Sequence, residues 1–348
     1  MDYDIVVIGG GPAGLSFACS MSGLSLNVLL VEKSSLESIS KPKPDGREIA
    51  LTHHSRKILI KLGVWALIDE AKVSPLKEAK VFDGGSDSLL NFDAKKSAIE
   101  ALGYLVPNYV IKKNLYKRLK NLPNITFINK TECISINTDN EYATIGLSNG
   151  GKIKTSLVVA ADSRFSKIRS KMGISAFSHD FKKNMIVCRM KHEKSHKNIA
   201  YEFFRYNQTQ AALPYINNQS GIVTTADKNL TSDLMKMNKR KFNNEMENNF
   251  NNFFGKMKLV GKRYSYPMIT TYTKKFISHR FAVIGDAAVG MHPVTAHGFN
   301  LGLKGLDILI NEIKVAIKNK NDIGLTNVLS NYQSKLHRAA APIYFATN

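Results

Sequence analysis

Cysteine is scarce in this sequence. Its 348 residues include three, Cys19, Cys133 and Cys188, an odd number with no Cys-x-x-Cys pair. That excludes a disulfide framework and a zinc-ribbon type of site, and it fits a reducing compartment. Acidic residues are also few, 28 Asp and Glu against 49 Lys and Arg, for a net charge of +21. No uncharged apolar run reaches the ~18 residues that a membrane span needs. The apolar N-terminus does not read as a signal peptide, because Asp2 and Asp4 precede the run and Gly9-Gly10-Gly11-Pro12 interrupts it. No Ser-His-Asp pattern, carboxylate dyad or metal-ligand cluster emerges, so no metal is expected. Neither zinc-finger spacing nor an RNP-like aromatic motif is found, so no nucleic acid is expected either.

The basic excess has two readings. Lys and Asn are abundant even on plain surface, as at Asn243, Asn244, Asn248, Asn249, Asn251 and Asn252, so the charge can be compositional. It can also serve an anionic membrane surface.

Length and composition fit about two globular domains, with 43% hydrophobic and 22% charged residues. Residues 3–8 read as a buried strand, 9–14 as a glycine turn, 12–21 as a helix and 27–31 as a second buried strand. This is a β-α-β unit with a parallel sheet. Residues 41–47 form a Pro- and Lys-rich loop. Apolar residues at helical spacing over 49–62 predict a helix closed by Gly63, and 109–119 predicts another. Short alternating segments at 125–128, 132–137, 143–148 and 157–161 predict strands. The middle changes character. Strands are expected at 185–190, 200–205, 210–213 and 221–225, then a polar helix over 230–254, then strands at 260–266 and 281–284. A long amphipathic helix over 298–318 follows. The strand-rich middle, 182–272, is expected to be inserted between the two parts of an α/β domain, 1–181 and 273–348.

Three constellations carry chemistry. The first is Gly9-x-Gly11-x-x-Gly14, placed after a strand and opening a helix. Gly9 permits the tight turn, Gly11 lets backbone approach a pyrophosphate at the helix N-terminus, and Gly14 lets helix and strand pack closely. Glu32 ends the second strand, where a carboxylate can accept from both ribose hydroxyls of an adenosine. The second is the strand that empties into Gly285-Asp286. An Asp there can hold a ribityl hydroxyl, which flavin has and nicotinamide lacks. It is followed by His292-Pro293 and by His297-Gly298-Phe299-Asn300 entering a helix, whose positive end would face the flavin pyrimidine. The third is Asp162-Ser163-Arg164 through Arg169, again at a strand end.

At these motifs the chain resembles the group A, single-component FAD aromatic hydroxylases, to which para-hydroxybenzoate hydroxylase belongs. Within them it is most similar to the ubiquinone-biosynthesis hydroxylases of the UbiH, UbiF and UbiM type. Asp45-Gly-Arg47, with Ala50-Leu51, Ser55, Leu59, Leu62-Gly63 and Trp65, matches a family stretch whose arginine lies near the flavin and pyrophosphate. Asp162 to Arg169 matches the Asp-Gly motif, with Ser163 in place of glycine. Ala296-His297-Gly298 stands where the family usually has Gly-Gln-Gly, a version like the UbiM branch, as are Tyr201-Glu202, Gln208-Thr-Gln210 and Leu213-Pro214. The family usually runs some tens of residues beyond Asn348, so against that resemblance the sequence is C-terminally short and the family's last helices are expected to be missing from it.

The resemblance implies a para-hydroxybenzoate hydroxylase-like FAD domain with an inserted antiparallel sheet that forms the ring pocket. The implied cofactor contacts are Gly9, Gly11, Pro12, Ala13, Gly14, Glu32, Lys33, Arg47, Lys112, Asp162, Gly285, Asp286, Pro293, Gly298, Phe299 and Asn300. FAD is expected to be non-covalent. Lys112 either reaches it or is a solvated helix lysine. His297 is the catalytic candidate, tuning the ring or simply holding its loop, whereas His292 shapes the turn before Pro293. The implied reaction hydroxylates the ring of a polyprenylated phenol in ubiquinone biosynthesis, with dioxygen, through a flavin C4a-hydroperoxide. NAD(P)H or another donor reduces the flavin in transient contact, since no second nucleotide fingerprint exists. A ubiquinone-biosynthesis complex, a cytoplasmic location and peripheral contact with the inner membrane complete the expectation. Two rivals share the fold: a flavin-dependent prenyl reductase, and a non-catalytic FAD-binding subunit.

Overall fold

The computed structural model describes residues 1–83, 89–292 and 297–347; Pro293 lies outside them. Among these residues the strands form two eight-stranded sheets and one of three strands.

The first sheet is built on the strand Tyr3–Ile8, which pairs in parallel with Val28–Val31 on one side and Lys152–Ala160 on the other. Ile125–Ile128 and Phe281–Val283 extend it outward, also in parallel. Val6, Val7, Leu30 and Val159 have no exposed surface. Layers cover both faces of these strands, which is why they read as unbroken apolar runs rather than as alternation. The helix Pro12–Ser20 starts with Pro at a position where no amide donor is needed, and it packs between Asn108–Leu119 and His297–Lys318. The last helix, Thr326–Thr347, packs on His297–Lys318 and buries Tyr332, Leu336 and Ala340.

The second sheet runs in the order Val289–Gly290, Met257–Thr273, Ala176–His192, Gln219–Asp227, Gln208–Pro214, Ile199–Arg205, Glu78–Asp83 and Leu89–Asp93. Its pairings are antiparallel except between Ile199–Arg205 and Glu78–Asp83. Side chains alternate between its faces. Ile186, Cys188, Met190 and Ile222 form a core with Phe242 and Met246 of an overlying helix. Met185, Val187 and Val223 point the other way.

Three stretches differ from expectation. Residues 49–62 are two elements, the strand Glu48–Leu51 and the helix His53–Lys61, because Thr52 caps the helix by accepting from the Ser55 amide at 3.2 Å. The single helix over 230–254 is two, Lys228–Lys236 and Lys239–Asn249. Asn238 starts the second by accepting from the Lys241 amide at 2.9 Å. Residues 74–107 show no periodicity of their own, yet they supply Ser74–Leu76 and Gly103–Pro107 to the small sheet and two strands to the second. Those two, Glu78–Asp83 and Leu89–Asp93, mix Lys, Glu and Asn with apolar residues.

Candidate active site

The glycine turn is dictated by close backbone approach. Gly9 has φ +112°, and a Cβ there would lie 2.5 Å from the Ala161 carbonyl oxygen. A Cβ on Gly14 would lie 1.9 Å from the Gly9 carbonyl oxygen, so the helix cannot sit this close to the strand with any other residue. Gly11 is different: nothing lies within 4 Å of its added Cβ. No side chain caps the helix that follows, so its first amides are left to a ligand. Empty space over Gly11 beside an uncapped helix N-terminus is an anion cradle, and it fits a pyrophosphate. Glu32, 7% exposed, is aimed by two backbone donors, the Gly10 amide and the Ser34 amide at 2.7 Å. Each carboxylate oxygen keeps a further lone pair for a ribose hydroxyl. Lys33 beside it is exposed.

The other two motifs are tied together by Arg169. Arg169 is 6% exposed, and its guanidinium donates to the Ala287 carbonyl at 2.7 Å and the Arg164 carbonyl at 3.2 Å. Asp162, just past the strand Lys152–Ala160, has a buried Oδ1 with no hydrogen-bond partner among the described residues. A buried acceptor left without a donor costs about 1–3 kcal/mol, and a cofactor hydroxyl would remove that cost. Gly285 turns with φ +59°, and a Cβ there would come within 2.7 Å of Ala13 Cβ. That contact seats the Gly285–Ala287 turn on the start of the first helix. Asp286 is open to solvent and pairs with Arg164 at 3.3 Å, an exposed contact of little strength.

Arg47 is held by Asp45, with Nε to Oδ2 at 2.9 Å, and lies over the Tyr266 ring at 5.5 Å. Tyr266 in turn donates its hydroxyl to the Asp45 carbonyl at 2.8 Å. Lys112 is half-buried; burial lowers its pKa, and the Glu32 carboxylate opposes that shift. Asn300 accepts from the Thr52 amide at 3.1 Å and donates to the Ala50 carbonyl at 2.7 Å, fixing its helix to the strand Glu48–Leu51. His297, the first helical residue, is exposed. His292 stands edge-on to Phe181 at 4.7 Å, and burial holds its pKa below the usual imidazole range.

Gly11, Pro12, Ala13, Arg47, Asp162, Gly285, Asp286, Gly298 and Phe299 line one cavity of about 630 Å³. Gly9 and Gly14 shape the turn behind it. Glu32, Lys33, Lys112, His297 and Asn300 are not among its walls. The opposite wall is the second sheet, through Met185, Val187, Leu213, Val223 and Ile269. A sheet wall was expected from the sequence; which of its residues face the cavity, and the pairing of Arg164 with Asp286, were not. Strand alternation marks the wall's residues, but only the pairing between strands gathers them.

A parallel sheet with this cradle, facing a second sheet across an apolar cavity, defines a flavin-binding oxidoreductase. Residues 2–343 match the FAD binding domain family. The ubiquinone hydroxylase UbiM of Neisseria meningitidis is 41% identical over 99% of this chain and 76% of its own length. The ubiquinone hydroxylase UbiL of Rhodospirillum rubrum is 30% identical over 95% of the chain and 77% of its own. The solved structure of PqsL, a probable FAD-dependent monooxygenase from Pseudomonas aeruginosa, superposes with a TM-score of 0.82 at 16% identity. It covers 99% of this chain and 94% of that one, a likeness of fold. The chain belongs to the FAD binding domain family, among its ubiquinone hydroxylases, and is an FAD-dependent monooxygenase. No described helix is long and apolar enough to cross a membrane.

Proposed function

We propose that this chain hydroxylates the aromatic ring of a polyprenylated phenol in ubiquinone biosynthesis. The observation that carries the reading is the continuity of one cavity from the glycine cradle to the apolar sheet wall. FAD, when bound, supplies the redox chemistry that delivers one oxygen atom of dioxygen to the ring. The protein's own residues do the rest. Gly11 and the helix N-terminus take the pyrophosphate. Glu32 and Asp162 accept from cofactor hydroxyls, and Asp286 leaves Arg164 for the ribityl chain. Met185, Val187, Leu213 and Val223 exclude water from the ring.

NAD(P)H is the proposed reductant. A smaller cavity of about 390 Å³ shares Gly46, Arg47 and Glu48 with the main one and is rimmed by Lys43 and Lys262. Cations at that position suit a nicotinamide dinucleotide's phosphates. The protein would work in the cytoplasm at the anionic face of the inner membrane, alone or within a ubiquinone-biosynthesis complex. Expression in a bacterial strain lacking its own ubiquinone hydroxylases tests the reading: quinone extracts should regain ubiquinone. Extracts that retain only the under-hydroxylated precursor, with flavin-loaded protein present in the cells, would contradict it.

A further inference from the structure

The charges around the main cavity are almost fully matched. Arg47 pairs with Asp45, Lys80 with Glu78 at 3.4 Å, and Arg164 with Asp286 at 3.3 Å. The Glu48 carboxylate is bound to Arg189. Two lining acids form no ion pair among the described residues, Asp162, whose charge acts on the nearby Arg169, and Glu202. Asp162 sits at the cradle end. Glu202 sits on the opposite wall.

Strand register fixes the surroundings of Glu202. It lies opposite Val81 on one neighbouring strand and Ala211 on the other. Ala211 continues the row to Val223, and Val223 to Val187. Glu202 is therefore the one charged side chain in a cross-sheet row of small and β-branched apolar residues that faces the cavity. It is half-buried and makes no hydrogen bond or ion pair among the described residues. Burial alone pushes its carboxyl above the ordinary range. Burying an acid costs free energy unless a donor meets it, and nothing in the described protein does.

We propose that Glu202 receives the ring hydroxyl of the substrate, so that the cavity selects a neutral phenol and rejects an aromatic carboxylate. The inference rests on the cavity being the ring site. It adds the group that orients the ring and the charge that screens the substrate class. An incoming phenol donates a charge-assisted hydrogen bond to Glu202. A carboxylate would meet a like charge with no free cation in the described walls to offset it.

Equilibrium dialysis of the FAD-loaded protein with para-hexylphenol, para-hexylanisole and para-hexylbenzoate tests this without turnover. The wild type should bind the phenol about tenfold or more tighter than the anisole, and the benzoate least. Glu202→Leu should erase the preference for phenol over anisole. Glu202→Gln keeps an acceptor but loses the charge, so it should keep part of that preference and bind benzoate about tenfold better than the wild type does. A wild-type phenol preference in Glu202→Leu, or unchanged benzoate affinity in Glu202→Gln, overturns the role of Glu202 and leaves the ring site standing. Failure of all three probes to bind the wild type overturns the ring site itself, and this inference with it.

Discussion

Gly11 and Gly14 lie three residues apart and answer to different demands. Nothing stands near an added Cβ at Gly11, so Gly11→Val should fold normally and lose FAD, because the side chain fills the space meant for the pyrophosphate. Gly14→Ala should instead cost about 1–3 kcal/mol of stability, since its Cβ overlaps the Gly9 carbonyl. Thermal melts of the flavin-free proteins, with flavin content after gel filtration, separate the two. An unchanged flavin content in Gly11→Val would contradict the cradle. Asp286 is a third case. Asp286 is itself solvent-exposed where it meets Arg164, so Asp286→Ala should barely affect the flavin-free fold. It should weaken FAD binding by about 1–3 kcal/mol, the cost of leaving a cofactor hydroxyl unpaired. Fluorescence titration with FAD measures this, and an unchanged dissociation constant would remove Asp286 from the ribityl chain.

At the scale of elements, caps and register decide what the sequence conceals. The strands Tyr3–Ile8 and Val28–Val31 were legible because burial on both faces makes residues 5–8 and 28–31 uniformly apolar. The glycine turn was legible because the φ of Gly9 and the close contacts at Gly9 and Gly14 admit only glycine there, while Gly11 keeps space open for a ligand. The break between Lys228–Lys236 and Lys239–Asn249 was marked in the sequence by Asn238, a capping residue obscured by the many asparagines around it. Asn238→Ala should therefore destabilise the protein by about 1 kcal/mol and leave FAD affinity unchanged, as thermal melts and flavin titration would show. A loss of flavin would mean that this helix pair supports the cofactor domain directly. The wall of the cavity was illegible for another reason. Glu202, Ala211, Val223 and Val187 come from four strands, and only pairing register sets them in one row. The two strands from residues 74–107 were illegible because short strands of mixed polarity carry no period that distinguishes them from loops.

At the scale of the whole molecule, the +21 charge and the proposed lipid-borne substrate belong together. Each lysine near an anionic surface contributes about 1 kcal/mol at most, and raising salt from 0.1 to 1 M shortens the Debye length from about 10 Å to about 3 Å. The protein should float with anionic vesicles at low salt, release at high salt and ignore neutral vesicles. Equal recovery with both lipids, or no flotation at low salt, would assign the lysines to composition alone. The central claim is that the cavity between the two sheets places a phenol ring where bound FAD delivers oxygen to it. The most direct measurement supplies purified FAD-loaded protein with NAD(P)H, a short-chain polyprenylphenol and isotopically heavy dioxygen, and reads the product by mass spectrometry. The account predicts one heavy oxygen atom on the ring with the prenyl double bonds intact; a product that gains hydrogen in its chain, or substrate recovered unchanged while the flavin is reduced and reoxidised, would contradict it.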